Sequence, residues 1–268
     1  MKKSLIVDCG ATKTDWYSSD GVQMRTTGFN LAQTPAPQLQ AILDDAASKQ
    51  GEGIEEVHFY AAGLVGESPV DLNRWFPGAS IEYASDMLGA ARAVCRHRPG
   101  IAAILGTGAN TCQYDGKQIT RKVNCGGFIV GDEGSAAVLG RIFITDFLKG
   151  LVPEEMSQAF TRQFPSDYPT IVKNIYSGDA PARYLGSFAP FILSYYRKQE
   201  YATKLIEDNF CRLFERSIKQ YDSLPVGVVG SFGFAAKDIL LAVGARYGVR
   251  YTLFLPTPIE GLKKYHGL

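Results

Sequence analysis

The chain has 268 residues, 46% of them hydrophobic and 21% charged, which is the size and composition of an ordinary globular protein of about two modest domains. Its formal net charge of +1 gives no electrostatic case for binding nucleic acid or an acidic membrane surface. No apolar run approaches the length of a membrane span, and the one after Lys2 and Lys3 is too short for a signal peptide, so the sequence predicts a cytoplasmic protein.

The first predicted strand and the turn after it form the first candidate site. Residues 5–14 read Leu-Ile-Val-Asp-Cys-Gly-Ala-Thr-Lys-Thr, a short buried strand that ends in the acid Asp8 and a turn of small residues. Such a turn, with backbone amides free to point at one spot, is typical of a phosphate site, and Asp8 could hold hydrated Mg²⁺ there. A plain hairpin turn is the competing interpretation. The phosphate-binding candidates are Gly10, Thr12, Lys13 and Thr14.

Strands and helices alternate through the rest of the first hundred residues. Strands over 15–18 and 22–27, on either side of a Ser-Asp-Gly turn, complete a meander. The order then predicted is a helix over 38–50, a strand over 57–63, a short helix over 70–76, a strand over 81–84 and a helix over 86–95.

The second half of the chain repeats that opening. Strands are predicted over 102–105, 111–114 and 118–123, and the first ends in Gly106-Thr107-Gly108-Ala109-Asn110. A second strand-and-glycine-turn unit about a hundred residues after the first indicates an internal duplication. Two such turns across a cleft would hold one nucleoside triphosphate from both sides. Neither turn has the spacing of a P-loop or of a dinucleotide-binding motif.

Helices dominate the remaining chain. The run Gly-Asp-Glu-Gly-Ser at 131–135 precedes a predicted helix over 136–148, and a helix-rich stretch follows over 153–221. Its clearest member is the amphipathic run over 204–221. Strands over 226–229 and 251–255 flank a helix over 235–247, and Pro258 begins a last helix.

Together these motifs resemble a known superfamily. Two β-β-β-α-β-α units that share a cleft are the plan of the actin, hexokinase and heat-shock-70 ATPases. Within that group, the segments 8–15, 106–110 and 131–135 are similar to the BadF/BadG/BcrA/BcrD ATPase family, which includes N-acetylglucosamine kinases, and the resemblance spans nearly the whole chain. It implies an α/β fold with two duplicated ribonuclease H-like domains and a nucleotide-binding cleft between them.

The resemblance also implies a domain organisation and an activity. The domains are residues 1–100 and 101–268, with a helical insertion over about 153–221 in the second, and the last helix is free to pack back on the first. The implied activity is phosphorylation of an amino sugar by ATP with Mg²⁺. The favoured substrate is N-acetylglucosamine or a related N-acetylhexosamine. A homodimer is allowed but not indicated.

Individual roles follow from the same resemblance. Asp86 is the implied catalytic base; the competing interpretation is that an aspartate between a strand and a helix is an N-cap. Gly106, Thr107 and Gly108 are expected to turn backbone amides toward the β- and γ-phosphates. Gly230 and Ser231 resemble an adenosine-binding turn. The sugar-binding candidates are Asn30, Asn110 and Asp132; Asp132 and its neighbour Glu133 could instead cap the helix that follows.

Two departures and two alternatives accompany this interpretation. Cys9 stands where the family usually has glycine, and Ala109 where a serine often contributes a hydroxyl.

One alternative is an ATPase activator that delivers electrons through an iron–sulfur cluster bridging a dimer. The five scattered cysteines favour it little, since only Cys125 lies near a suitable turn and the three histidines show no ligand spacing. The other alternative is a non-catalytic nucleotide switch.

Overall fold

Two five-stranded sheets form the frame of the computed structural model, which describes residues 2–10 and 12–268. Ala11, in the first motif, lies outside the described residues. The first sheet has the order β3-β2-β1-β4-β5 and the second the order β8-β7-β6-β9-β10, counted from the edge where each hairpin meander lies. The strands are β1 (Ser4–Cys9), β2 (Lys13–Ser18), β3 (Gln23–Thr27), β4 (Glu56–Ala61), β5 (Ser80–Ser85), β6 (Gly100–Leu105), β7 (Ala109–Tyr114), β8 (Ile119–Val123), β9 (Val226–Val229) and β10 (Tyr251–Leu255).

The two sheets have the same topology. In each, three antiparallel strands precede two strands that run parallel to the first, so β6 to β10 repeat β1 to β5. This repeated mixed sheet confirms the α/β fold class and the duplication predicted from the two glycine turns. The bounds proposed for the two domains remain a prediction.

Helices connect and cover the strands. Those of the first half are α1 (Ala36–Gln50) and α2 (Asp86–Cys95). Those of the second half are α3 (Gly127–Val130), α4 (Ala136–Leu148), α5 (Glu154–Gln163), α6 (Tyr168–Tyr176), α7 (Pro181–Gly186), α8 (Ala189–Ser194), α9 (Glu200–Arg216), α10 (Ser231–Ala235), α11 (Lys237–Arg246) and α12 (Ile259–His266). None of the helices in the described ranges is both long enough and apolar enough to cross a membrane.

The prediction of a short helix over 70–76 is wrong in the type and the length of the element. Only a 3₁₀ turn forms there, Leu72–Arg74. The Asp71 side chain accepts a hydrogen bond from the backbone N–H of Asn73, and the Tyr83 hydroxyl accepts one from Leu72. Both bonds cap the first amides of the turn, which would have no partner inside a helix of any length.

The last helix of each half lies between the two sheets. On β1, Leu5 and Val7 pack toward α1, whereas Ile6 packs toward Ile259 of α12. Helix α2 contributes its apolar side to a cluster with the second sheet. The two helices cross so closely that a Cβ at Gly261 of α12 would collide with the carbonyl of Ala93 of α2. One face of each sheet is therefore directed at the other sheet across this helix pair.

Helices α4 to α9 build the largest core of the chain around a cluster of aromatic rings. Phe143 of α4 lies edge-on to Phe160 of α5, with ring centroids 5.0 Å apart, and Phe160 lies edge-on to Phe188 at 5.1 Å. Such pairs add packing energy beyond the burial of their area. The effect on the site is indirect, because this core anchors α4 and α9 behind the second glycine turn.

Candidate active site

Asp8 lies in a row of side chains that crosses the inner face of the first sheet. The register aligns Arg25 of β3, Asp15 of β2, Asp8 of β1 and Tyr60 of β4. Since Ile6, two residues earlier on β1, packs against α12, the alternation of the strand directs Asp8 to the same face. The predicted metal-binding acid therefore faces the second half of the chain.

The surroundings of Asp8 disfavour its charged form. Burial first, and then the carboxylates of Asp15 and Asp86, raise the pKa of Asp8 to about 8, while Lys13 works weakly in the opposite direction. An isolated aspartate has a pKa of about 3.9, so the folded chain holds this acid near the point where it gives up its proton at neutral pH. A cation placed here would favour the charged form, which makes Asp8 a fitting ligand.

Asp86 is the first residue of α2, but it does not cap that helix. The N-cap is Ser85, whose Oγ accepts a hydrogen bond of 3.2 Å from the backbone N–H of Leu88. The alternative that Asp86 is an N-cap is therefore wrong. Its Oδ1 accepts instead from Met87 N–H at 2.8 Å. Burial raises the pKa of Asp86, and Lys122 of β8 offsets part of that rise, so the carboxylate is influenced by groups from both halves of the chain.

The first turn is closed by its own hydrogen bonds. Gly10 N–H donates to the carbonyl of Lys13 at 3.0 Å, and the Thr14 hydroxyl is fully buried, with Cys9 Sγ 3.3 Å away as its acceptor. Thr14 and the amide of Gly10 are thus engaged within the hairpin, and the structure does not offer them to a ligand, contrary to the phosphate contacts predicted for them. The exposed Thr12 and the partly buried Lys13 remain accessible.

Cys9 points away from the cleft. Its buried thiol donates to the carbonyl of Phe29 at 3.2 Å, within the core that β1 shares with α1. Burial raises the pKa of this thiol to about 12, so it stays protonated and unreactive. The replacement of the usual glycine by cysteine therefore fills the core and does not alter the cleft.

The second turn is fastened to the start of α4. The backbone N–H groups of Ala136 and Ala137 donate to the carbonyls of Gly106 and Thr107, and Gly106 N–H donates to Gly108. Within the described ranges, the N–H groups of Thr107 and Gly108 have no hydrogen-bond partner. Two neighbouring amides without partners are what an anion-binding turn requires.

Asp132 lies against this second turn. A Cβ at Gly108 would be 2.9 Å from Asp132 Oδ2, so the carboxylate uses the space that the glycine leaves. The backbone of Asp132 has φ of +56°, a strained conformation for a residue other than glycine. Burial raises the pKa of Asp132 to about 6, although the nearby N–H of Ala109 acts against that rise. Asp132 is thus a strained, desolvated acid, as functional acids often are.

The neighbours of Asp132 have structural tasks. Ser135 caps α4, since its Oγ accepts from Val138 N–H at 3.1 Å, while Glu133 pairs with Arg216 at 3.0 Å. Capping of α4 by Asp132 or Glu133 is therefore wrong. Asn110 lies on β7, with Oδ1 accepting from Thr111 N–H, and it lines a small cavity together with Asp132 and Cys125. The structure brings these two sugar-binding candidates together.

Asn30 lies apart from the cavity of Asn110 and Asp132, whereas the predicted adenosine turn lies beside the second glycine turn. Asn30 Oδ1 accepts from Ala32 N–H at 2.9 Å, an Asx turn within its own loop, and it does not line the cavity of Asn110 and Asp132. Gly230, with φ of +121°, follows β9 and packs on the carbonyl of Leu105, directly beside the second turn. Ser231 is the exposed first residue of α10.

Asn209 of α9 supports the loop that carries Asp132, and sequence reasoning missed it. Its Oδ1 accepts from Gly134 N–H at 3.0 Å, and its Nδ2 donates to the carbonyl of Ser135 at 3.1 Å. The side chain is almost completely buried. The available signal was its position on the apolar stripe of an amphipathic helix, with Ile206 and Leu213 at helical spacing on either side.

Replacing Asn209 with alanine should destabilise the protein by about 2–4 kcal/mol, because it removes two hydrogen bonds and leaves a buried N–H and a buried carbonyl without partners. Urea unfolding followed by circular dichroism measures the change. Asp208→Ala, on the exposed side of the same helix, is the matched control. Equal effects of the two substitutions would show that Asn209 does not hold the loop.

None of the cysteines belongs to a group with metal-ligand spacing among the described residues. The one group with metal-ligand spacing is His58, Glu82 and His266. His58 Nδ1 lies 3.0 Å from Glu82 Oε2, and Arg92 binds Glu82 at 2.6 Å. His266 Nε2 lies 2.8 Å from the Tyr60 hydroxyl. This group is a hydrogen-bonded link between α12 and the first sheet. Cys125 lies in the loop before α3.

Known structures resemble the chain over its whole length. A comparison with family models and one with curated proteins find no match. A protein from Porphyromonas gingivalis, named "Putative N-acetylglucosamine Kinase", is 35% identical with a TM-score of 0.91, over 99% of this chain and 98% of that one. One of the same name from Chromobacterium violaceum is 22% identical, with a TM-score of 0.71 over 99% of each chain. A ROK family glucokinase from Streptomyces griseus, in complex with glucose and AMPPNP, shares the fold at 14% identity, with a TM-score of 0.55 over 98% and 97% of the chains.

Proposed function

This chain belongs to the BadF/BadG/BcrA/BcrD ATPase family, with the N-acetylglucosamine kinase-like proteins, and we propose that it is an ATP-dependent kinase that phosphorylates a hydroxyl of an amino sugar. The favoured substrate is N-acetylglucosamine or a related N-acetylhexosamine. The observation that carries the proposal is that Asp8 and Asp86 lie at the same edge of the first sheet. Asp8 is next to the last residue of β1 and Asp86 directly follows β5, and the register of these parallel strands aligns their carboxyl ends. Phosphoryl transfer needs little more than such acids, a metal ion and positioned amides.

Asp86 is the proposed general base. Its position at the first turn of α2 fixes the carboxylate through the bond from Met87, and Lys122 favours the charged form that can accept a proton. It would take the proton of the sugar hydroxyl as that oxygen attacks the γ-phosphorus of ATP and the bond from this phosphorus to the bridging oxygen of ADP breaks. A base of this kind acts on the sugar and is not needed to hold the nucleotide.

The remaining residues are assigned to binding. Mg²⁺ held through water by Asp8 would neutralise charge on the phosphates, and the raised pKa of Asp8 is consistent with a site that accepts a cation. The free amides of Thr107 and Gly108 would contact phosphate oxygens, with Gly230 and Ser231 next to the adenosine. Asn110 and Asp132, which line one cavity, would hold hydroxyls of the sugar. The remaining candidates are Gly106, Thr12 and Lys13 for the phosphates and Asn30 for the sugar.

A coupled assay of ADP release across a panel of sugars tests the proposal. The panel contains glucose, glucosamine, N-acetylglucosamine, N-acetylmannosamine and N-acetylgalactosamine, each with ATP and Mg²⁺. We expect at least one N-acetylhexosamine to raise ADP release by orders of magnitude over the rate without sugar, and phosphorus NMR of the product to identify the esterified hydroxyl. ATP turnover that no sugar stimulates would contradict the proposal and favour the activator or switch alternative.

A further inference from the structure

We propose that Asp15 is a second carboxylate of the metal–nucleotide site, acting beside Asp8 on one divalent cation or on the water molecules bound to it. The inference rests on the proposed function only in assuming that a metal–nucleotide complex binds in this cleft. It concerns a residue outside every role assigned above, and it follows from the register of the first hairpin and the hydrogen bonding of one side chain.

The register places the two acids side by side. Asp8 of β1 and Asp15 of β2 are direct partners in an antiparallel ladder. Directly opposed residues project from the same face of a sheet with Cβ atoms roughly 5 Å apart, and like charges in that arrangement destabilise it. A cation bound between two carboxylates that face each other in this way would relieve their repulsion and allow both to be charged.

The hydrogen bonding of Asp15 is incomplete. Only 8% of the residue is exposed, and its Oδ1 accepts a hydrogen bond of 2.6 Å from Arg25 Nε, the next group in the same row. Its Oδ2 is buried and has no hydrogen-bond partner in the part of the chain that the structure describes. A buried carboxylate oxygen without a donor is costly, so this atom has capacity for a ligand.

Arg25 does not account for this arrangement by itself. A guanidinium that serves only to neutralise a carboxylate commonly binds both oxygens in a fork, whereas Arg25 reaches one oxygen through Nε and its side chain is 58% exposed. Mg²⁺ binds carboxylates while keeping several waters, and partners of those waters are as much part of a metal site as its direct ligands. Asp15 Oδ2 and the Asp8 carboxylate, on adjacent strands, fit this requirement.

Direct measurement of Mn²⁺ binding tests the inference without reference to sugar phosphorylation. Electron paramagnetic resonance of free Mn²⁺, titrated into protein saturated with AMPPNP, gives the affinity of the metal–nucleotide site. We expect Asp15→Asn to weaken Mn²⁺ binding about tenfold or more, the effect typical of losing an outer-shell partner. Asp20→Asn, which removes the same charge at the far end of the hairpin, should leave the affinity unchanged.

A second variant separates metal binding from a purely structural ion pair. Arg25→Gln removes the guanidinium that binds Asp15 and competes with the metal for it. Mn²⁺ should therefore bind several-fold more tightly if Asp15 is part of the metal site. If Asp15 serves only Arg25, both Asp15→Asn and Arg25→Gln will leave the Mn²⁺ affinity unchanged while lowering the melting temperature, and the inference is wrong. Should Asp15→Asn fail to fold, the direction of the Arg25→Gln change decides alone. Because the titration contains no sugar, a chain that binds Mn²⁺ as expected but phosphorylates no sugar would contradict the proposed function and leave this inference standing.

Discussion

Replacing Asp86 with asparagine should reduce sugar phosphorylation by ~10²–10⁴-fold, roughly 3–5 kcal/mol of barrier, while leaving the fold and the binding of both substrates nearly unchanged. Asparagine keeps the size of the side chain and an Oδ1 that can accept from Met87 N–H, but it cannot take up the proton of a sugar hydroxyl. Single-turnover rates measure the chemical step, and calorimetric titration with sugar and with AMPPNP measures the binding.

Two control variants separate the chemistry of Asp86 from the stability of the helix it begins. Ser85→Ala removes the actual cap of α2 and should cost about 1 kcal/mol of stability with little effect on the rate. Asp71→Asn changes an exposed acid that caps the 3₁₀ turn, and it should alter neither the rate nor sugar binding. If Asp86→Asn keeps full sugar-dependent turnover, the base is another residue; if it unfolds while Ser85→Ala does not, Asp86 is structural.

The sequence predicted the order of the elements well because the long helices and buried strands carry clear periodicity. The predicted bounds of α2, α4, β9 and β10 are those observed, and the two glycine turns correctly indicated the duplication. The four-residue helix α3 was not predicted, because one turn of Gly-Phe-Ile-Val has no helical period to detect. The helix predicted over 235–247 is broken at Ala236, which separates α10 from α11.

Side-chain direction in the first hairpin could not be predicted in the same way. Leu5, Ile6 and Val7 are all fully buried, so both faces of β1 look alike in the sequence and no alternation shows which face Asp8 shares. For that reason Thr14 was expected at the phosphate although it faces the core with Cys9, and Asp15, on the cleft side, received no role. The register between β1 and β2 supplies the missing information.

Contacts between segments that are distant in the sequence could not be predicted either. Asn209 contacts the Asp132 loop at Gly134, 75 positions earlier in the chain, and no local sequence pattern indicates that contact. The cap of α2 was ambiguous for a different reason. Ser85 and Asp86 are both favourable N-cap residues, and assignments of helix ends from pattern alone are uncertain by a residue or two.

Replacing Asp8 with asparagine should stabilise the metal-free protein while it abolishes most turnover. The folded chain raises the pKa of Asp8 to about 8, whereas the unfolded chain has a pKa of about 3.9 for this acid. The wild-type protein therefore loses stability as the pH rises from about 4 to about 8, because the unfolded state releases the proton more readily. Asparagine carries no such penalty, so the variant should gain on the order of a few kcal/mol at pH 8 and nothing below about pH 4.

Urea unfolding of the metal-free proteins between pH 4 and pH 9 measures this difference in stability. Asp20→Asn is the control, because the pKa of Asp20 is shifted in the opposite direction. The hydrogen bond from Lys3 lowers the pKa of Asp20 to about 2, so its charged form supports the fold and its loss brings no gain at high pH. With Mg²⁺ and AMPPNP the wild type should become more stable than Asp8→Asn, because a cation binds the charged Asp8 and stabilises the state to which it binds. We expect Asp8→Asn to be more stable without ligand, less stabilised by the metal–nucleotide complex and slower by orders of magnitude. That combination would identify Asp8 as a residue kept for function at the expense of stability. No gain in stability at any pH would show that Asp8 is not desolvated, and unchanged turnover at saturating Mg²⁺ would remove it from the site.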